Sequence, residues 1–412
     1  MVVGEFTEDV DIMILGGGPA GYAAAFALAR AGHSPVVVDP RGVLGGTCLF
    51  AGCIGSKTLL HGLFNRRATL EAADAASKQA VTTLAAGLAS QAKALDVRVV
   101  KGIARFADRR TVQVAGETVG RLRFKRAIVC VGGWCALDEG RVSPAEVVED
   151  PSCLRGDVTV LGATSNAVEC AAIAAAAGCT VHLDPDSDLL PGVPRDLVEP
   201  FERGLKKTLA GIGPCDHTGL VVDARNGNPD VSALDLHVTQ AVLDDAGWIV
   251  VSDTMQTMDT RILAAGRCTG RSMWAGSAMR MGAIAASTLL GHHDAWDPNV
   301  EPRTTWCPPG LTWCGPDSLD GLQHITVPWG FSGQAVLRGV AGSGRTVLAW
   351  DADSGIVKGA GAVGAGSPEL AEAFTLAIEL AATLEDLAAC VPSHPTRAEL
   401  LGEAARQAIS VG

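Results

Sequence analysis

Residues Gly16-Gly17-Gly18-Pro19-Ala20-Gly21 follow a short apolar run, Asp11 to Leu15, and open a helical stretch that reaches Ala31. A second apolar run, Pro35 to Asp39, closes the unit. Nothing else in the chain limits its fold so strongly, because strand, glycine turn, helix and strand in this order specify a βαβ unit. Gly16, Gly18 and Gly21 fill the places of G-x-G-x-x-G. They permit a tight turn, close approach of backbone to a pyrophosphate at the helix N-terminus, and close helix–strand packing. Asp39 lies 18 residues after Gly21, where an acidic residue takes a ribose hydroxyl. Together these signals indicate a dinucleotide site. They do not separate FAD from NAD.

The stretch Gly45 to Lys57 reads G-G-T-C-L-F-A-G-C-I-G-S-K. A regular helix would set Cys48 and Cys53 about 7.5 Å apart along its axis, whereas a disulfide wants Cα atoms within roughly 7 Å. A bridged pair therefore requires a bend, and Gly45, Gly46 and Gly52 allow one. Such a bridge would be strained and reducible, as a redox centre needs. Two buried thiols would fit the same spacing.

A chain of 412 residues predicts two or three domains. The formal net charge of −12 argues against a nucleic-acid surface or a patch for anionic membranes. The acidic N-terminus lacks the positive region of a signal peptide. No uninterrupted apolar run reaches the ~18–20 residues needed to span a bilayer. Twelve cysteines without a signal sequence point to a reducing, cytoplasmic setting, where disulfides are mostly catalytic. With Tyr22 as the sole tyrosine and few other aromatic residues, no base-stacking platform is expected.

Farther along, Thr69 to Leu95 reads as one helix. Strands are expected at 97–100, 111–114 and 122–131, the last ending at Gly132. A second βαβ unit starts at Val158, with its helix over 170–178 and its second strand over 180–184, which Asp184 ends where an NAD ribose hydroxyl would bind. There Thr164 and Ala167 occupy the second and third glycine places, so the fold is implied and a nucleotide is not. Helix 275–290 follows. Prolines from Pro298 to Pro309 mark a linker to a third region, with strands at 325–328 and 346–350 and helices from Pro368. Cys130 with Cys135, Cys307 with Cys314, and His292-His293 read as structural or solvated positions. No metal site is expected.

In order, G-x-G-x-x-G, G-G-T-C-x-x-x-x-C-x-x-S-K, a second Rossmann unit, Ala264-Ala265-Gly266 and His394-Pro395-Thr396-Arg397-Ala398-Glu399 resemble the flavin-dependent pyridine nucleotide–disulfide oxidoreductases. Within them the pattern is most similar to the dihydrolipoamide dehydrogenases, over nearly the whole chain. The resemblance implies an α/β fold with two Rossmann-like domains, the second reduced and degenerate, and a C-terminal α+β dimerisation domain. The expected FAD domain covers 1–140 and 253–297, the reduced NAD-like insertion 141–252, and the interface domain 298–412. FAD contacts would come from Gly16, Gly18, Pro19, Ala20, Gly21, Asp39, Gly46, Thr47, Lys57, Gly132, Gly266 and Arg267. Cys48 would exchange with a dithiol and Cys53 would face the flavin. Lys57 and Glu169 would pair beside the flavin ring. His394 would be the base, oriented by Glu399, and would act in the partner subunit of a homodimer.

Three departures accompany the likeness. Arg267 stands where the family carries an aspartate, and a guanidinium only donates hydrogen bonds. The second glycine fingerprint is degraded. The region from Val158 to Gly247 is short and shows no G-R-x-P-N segment. Gly55 also replaces the usual proline of C-I-P-S-K. The expected activity is FAD-dependent oxidation of a small or lipoyl-type dithiol with an acceptor other than NAD(P), namely oxygen, a quinone or a protein. A conventional NAD-dependent dihydrolipoamide dehydrogenase is the alternative, and a catalytically quiet FAD-binding scaffold a second one.

Overall fold

A computed structural model describes residues 7–116, 120–133, 137–225, 231–297, 301–339, 342 and 344–411. Cys135 and Pro298, singled out in the sequence, lie outside these residues. The chain forms two compact units.

The first unit takes residues 1–58, 74–138 and 226–297. Its central sheet carries parallel strands Arg98–Lys101, Val36–Asp39, Thr7–Leu15, Arg121–Val129 and Ile262–Ala264, in that spatial order. Ile103–Phe106 and Thr111–Ala115 extend it as an antiparallel meander onto Arg121–Val129. Strand alternation splits the core. Ile12, Ile14 and Val37 face the helices Pro19–Arg30 and Ala275–Leu289. Met13, Leu15, Val36 and Val38 face the opposite way, with Phe106, Phe124, Leu234 and Ile249. The predicted helix over 69–95 is observed as Leu70–Ala94. Strand Ile103–Phe106 was not anticipated: three of its four residues are at least partly exposed, so it lacks an apolar run.

The second unit takes 59–73, 139–225 and 298–412. It contains a five-stranded parallel sheet, ordered Gly211–Ile212, Thr180–Asp184, Asp157–Leu161, Leu220–Asp223 and Arg141–Val142. The helix of this Rossmann unit is Ser165–Ala176, starting five residues before the sequence expectation. Only residues 213–219 join strand Gly211–Ile212 to strand Leu220–Asp223, whereas the first unit carries its meander at the corresponding point. The shortness noted in the sequence is therefore a missing meander. The connector is pinned by Gly213 N–H donating to Leu183 O at 2.9 Å, and His217 Nε2 lies 2.9 Å from Asp184 Oδ2.

The C-terminal part is an antiparallel sheet, ordered Pro302–Thr305, Leu311–Cys314, Val357–Val363, Arg345–Trp350 and Gln323–Pro328. Helices Ala371–Glu379, Leu384–Ala389 and Glu399–Val411 share its core with Phe374, Leu400 and Ala404. Cys130, Cys307 and Cys314 are buried, and His292 and His293 are exposed after helix Ala275–Leu289. By length and composition Gly46–Asn65 is apolar enough to cross a membrane, a stretch the sequence reading passed over because Gly52, Ser56 and Lys57 interrupt it. It is broken at Ala51 and ends in a π-helical turn, His61–Asn65. Of its most apolar stretch, 44% is buried.

Candidate active site

The first glycine turn is built by contacts that no side chain could share. Gly16 has φ +99°, and a Cβ there would stand 2.4 Å from Cys130 O. A Cβ on Gly21 would stand 1.9 Å from Gly16 O. The helix starts at Pro19, whose missing N–H suits its first turn. Asp39 is buried. Its Oδ2 accepts the Gly17 N–H and its Oδ1 the Arg41 N–H, both at 2.8 Å. These bonds fix the carboxylate at the strand end and leave further lone pairs for a ribose. The cradle fits the dinucleotide that the sequence implies.

The cysteine segment leans on this cradle. Gly46 has φ +57°, and a Cβ on it would meet Gly18 Cα at 2.6 Å, so backbone packs on backbone. Gly46–Phe50 forms a helical turn, the chain breaks at Ala51 (φ −140°, ψ 18°), and a new helix runs Cys53–Leu60. A bend here is what a bridged pair would need. Gly52 folds back so closely that a Cβ would lie 2.9 Å from Thr47 O and 3.3 Å from Cys48 Cα. Both cysteines are half-buried. The Cys53 thiol, hydrogen-bonded to that of Cys48, pushes the Cys48 pKa well up. Burial adds to the rise, and the Lys57 ammonium pulls against it.

Tyr22, which the sequence reading passed over as a binding or catalytic residue, lies at this pair. Burial, then Cys48, then Cys53 raise its pKa, so the phenol stays protonated at neutral pH. Its hydroxyl donates to Met279 Sδ at 3.2 Å. Gly266 (φ +82°) follows strand Ile262–Ala264 and packs on Ala20, and Arg267 opens the next helical turn. Gly132 (φ +77°) follows the end of strand Arg121–Val129, with open space around its Cα.

Glu169, His394 and Glu399 belong to the second unit. Glu169 is 3% exposed on helix Ser165–Ala176, and its Oε1 accepts the Trp306 N–H at 2.8 Å. Glu399 begins the last helix, with Oε2 3.0 Å from His394 Nδ1 and Oε1 accepting the Thr396 N–H. The imidazole and then this N–H hold its pKa below the usual carboxylate value. A carboxylate at Nδ1 favours the proton there and leaves Nε2 as the nitrogen with a free lone pair. The His394 side chain is 74% exposed, so Nε2 is open to a reaction partner.

The second Rossmann turn repeats the backbone of the first and loses its chemistry. Gly162 has φ +117°, and Thr164 (φ −83°, ψ 171°) caps the helix as Gly18 does (φ −71°, ψ −172°). Thr164 Oγ1 is buried without a hydrogen-bond partner, and Ala167 is fully buried in the place of Gly21. The register corrects the sequence reading of Asp184 as the ribose acid. Leu161 pairs with Asp184 as Leu15 pairs with Val38, so the counterpart of Asp39 is Pro185. Asp184 points to the opposite face, where it meets His217. This turn therefore carries Thr164, Ala167 and Pro185 where the first carries Gly18, Gly21 and Asp39.

Residues 10–213 match the pyridine nucleotide-disulphide oxidoreductase family and residues 320–405 its dimerisation domain. Dihydrolipoyl dehydrogenase of Haemophilus influenzae is 29% identical over 96% of this chain and 94% of its own length. Dihydrolipoyl dehydrogenase 2 of Haloarcula marismortui is 30% identical over 99% of this chain and 98% of its own. LpdA from Mycobacterium tuberculosis shares the fold, with a TM-score of 0.88 at 20% identity over 97% of this chain and 99% of that one. So does the HOCl-induced flavoprotein disulfide reductase RclA from Escherichia coli, with a TM-score of 0.85 at 20% identity over 96% and 99%. With family matches in both units and relatives that span the whole chain, this protein is an enzyme of the pyridine nucleotide–disulphide oxidoreductase family.

Proposed function

We propose that the enzyme oxidises a small or lipoyl-type dithiol through a Cys48–Cys53 disulfide and passes the electrons to an acceptor other than NAD(P). The observation that carries this reading is the hydrogen-bonded thiol pair set across a helix break against a complete glycine cradle. FAD would be held by Gly16 to Gly21, Asp39, Gly46, Thr47, Gly132, Gly266 and Arg267, and would supply the two-electron acceptor for the Cys53 thiolate.

The partner subunit's His394 takes a proton from the substrate dithiol at Nε2, because only the thiolate attacks. The thiolate forms a bond to Cys48 Sγ as the Cys48–Cys53 bond breaks and Cys53 leaves as thiolate. The second substrate thiol, deprotonated in turn, attacks its own sulfur in the mixed disulfide. Oxidised substrate departs and Cys48 is released. By resemblance to the family, Lys57 and Glu169 would each serve the flavin. The dimerisation domain supports a homodimer, as do its exposed Leu376, Leu380 and Val391.

Thr164, Ala167 and Pro185 support the choice of acceptor. The names of the relatives favour the conventional NAD-dependent dihydrolipoamide dehydrogenase as the second reading. Anaerobic stopped-flow decides between them. The enzyme is reduced with dihydrolipoamide and mixed with NAD⁺ or with oxygenated buffer. The expected result is slow flavin re-oxidation by NAD⁺. Rapid re-oxidation by micromolar NAD⁺, with a sluggish response to oxygen, overturns the proposal in favour of the conventional enzyme.

A further inference from the structure

We propose that Tyr22 is a positioning residue of the thiol–disulfide step, whose hydroxyl donates a hydrogen bond to the Cys48 sulfur as it leaves as thiolate. The inference rests on Cys48 and Cys53 being the redox pair. It starts from the backbone. Gly18 touches Gly46, and Cys48 follows Gly46 by two residues. Tyr22 N–H donates to Gly18 O at 2.9 Å, so Tyr22 stands one helical turn beyond Gly18 on the same face. That face is the one turned toward the cysteine segment. The phenol is close enough to feel charge on either thiol, and burial keeps it protonated.

The hydroxyl's partner in this reduced, uncharged arrangement is the thioether of Met279 at 3.2 Å. A thioether is a weak acceptor. A thiolate at the neighbouring Cys48 is a far better one, because hydrogen bonds to charged groups are the strong ones. The ring is steadied from behind by Phe26, with centroids 6.0 Å apart. Tyr22 thus holds a strong donor in reserve beside the sulfur on which negative charge develops. No bond to Tyr22 forms or breaks, and its proton stays on oxygen.

The test is the pH profile of Cys48 alkylation. Dithiol-reduced, FAD-loaded enzyme is treated with iodoacetamide across pH 5 to 10, and the Cys48 peptide is quantified by mass spectrometry. Tyr22→Phe keeps the ring and removes the donor. Its alkylation midpoint is expected to rise by about one pH unit, with kcat for dithiol oxidation several-fold lower, KM little changed, and melting temperature and flavin content as in wild type. Met279→Leu removes only the weak acceptor, and its midpoint is expected to stay or fall. An unchanged midpoint in Tyr22→Phe overturns the proposal. So does an equal rise in Met279→Leu, which would make the effect one of packing. Full dithiol turnover in Cys48→Ser would instead sink the redox-pair reading, whatever Tyr22 does.

Discussion

Replacing Gly21 with alanine would do to the first Rossmann turn what Ala167 does to the second. The added Cβ would lie 1.9 Å from Gly16 O, where ordinary contact begins near 3.4 Å, so helix and turn must part by about 1.5 Å. Both groups are backbone, so no flexible side chain can swing aside. The turn cannot retreat either: Gly16 N–H is bonded to Val38 O at 2.8 Å, and its Cα lies against Cys130. Overpacking of this kind costs about 1–3 kcal/mol. Placed on the dinucleotide turn, that strain lowers FAD affinity roughly 5- to 150-fold, at about 1.4 kcal/mol per decade. The assay is titration of deflavinated protein with FAD, followed by flavin fluorescence, with thermal melting alongside. Ala167→Gly is the control and is expected to leave flavin affinity unchanged. A Gly21→Ala protein that holds FAD as tightly as wild type would refute the argument that this turn is the flavin cradle.

His394→Ala is expected to slow dithiol oxidation roughly 10²–10⁴-fold, the range for a positioned acid–base group. Glu399→Gln should lose less, and a His394→Ala enzyme of wild-type speed removes the assigned role. The functional species is expected to be a dimer, and activity from a 42.3 kDa particle in light scattering would contradict this. Asp223 has its pKa lowered to about 2, chiefly by its hydrogen bond to Arg225 and also by Arg141, against opposing burial. A depressed carboxylate stabilises the fold above its unfolded pKa near 4 and loses that effect as pH falls through about 2. The shift is worth about 2 kcal/mol. Asp223→Asn should therefore be less stable than wild type at pH 7 and nearly equal at pH 2. A constant difference between the two denaturation midpoints across that range speaks against the assignment.

The first Rossmann turn, the cysteine bend and the His394–Glu399 pair were legible because each is specified within a few residues. Three glycines, two cysteines around Gly52, or a histidine five places before a glutamate carry their geometry locally. The missing meander was legible only as shortness, since absent strands leave no pattern to read. The place of Asp184 was misjudged because one residue of register decides which face a strand side chain takes. Pro185, not Asp184, answers to Asp39, and only the pairing of Leu161 shows it. Tyr22 escaped notice for another reason. Its spacing to Gly18 is in the sequence, but the contact between Gly18 and Gly46 that turns it toward Cys48 is tertiary.

That contact between Gly18 and Gly46 also makes the two halves of the chemistry mechanically one part. No side chain lies between them to cushion relative movement, and Cys48 is two residues from the point of touch. Whatever loosens the dinucleotide turn is passed directly to the sulfur. Emptying the cradle is therefore expected to change the alkylation rate of Cys48, some thirty residues downstream, without any hinge or lid.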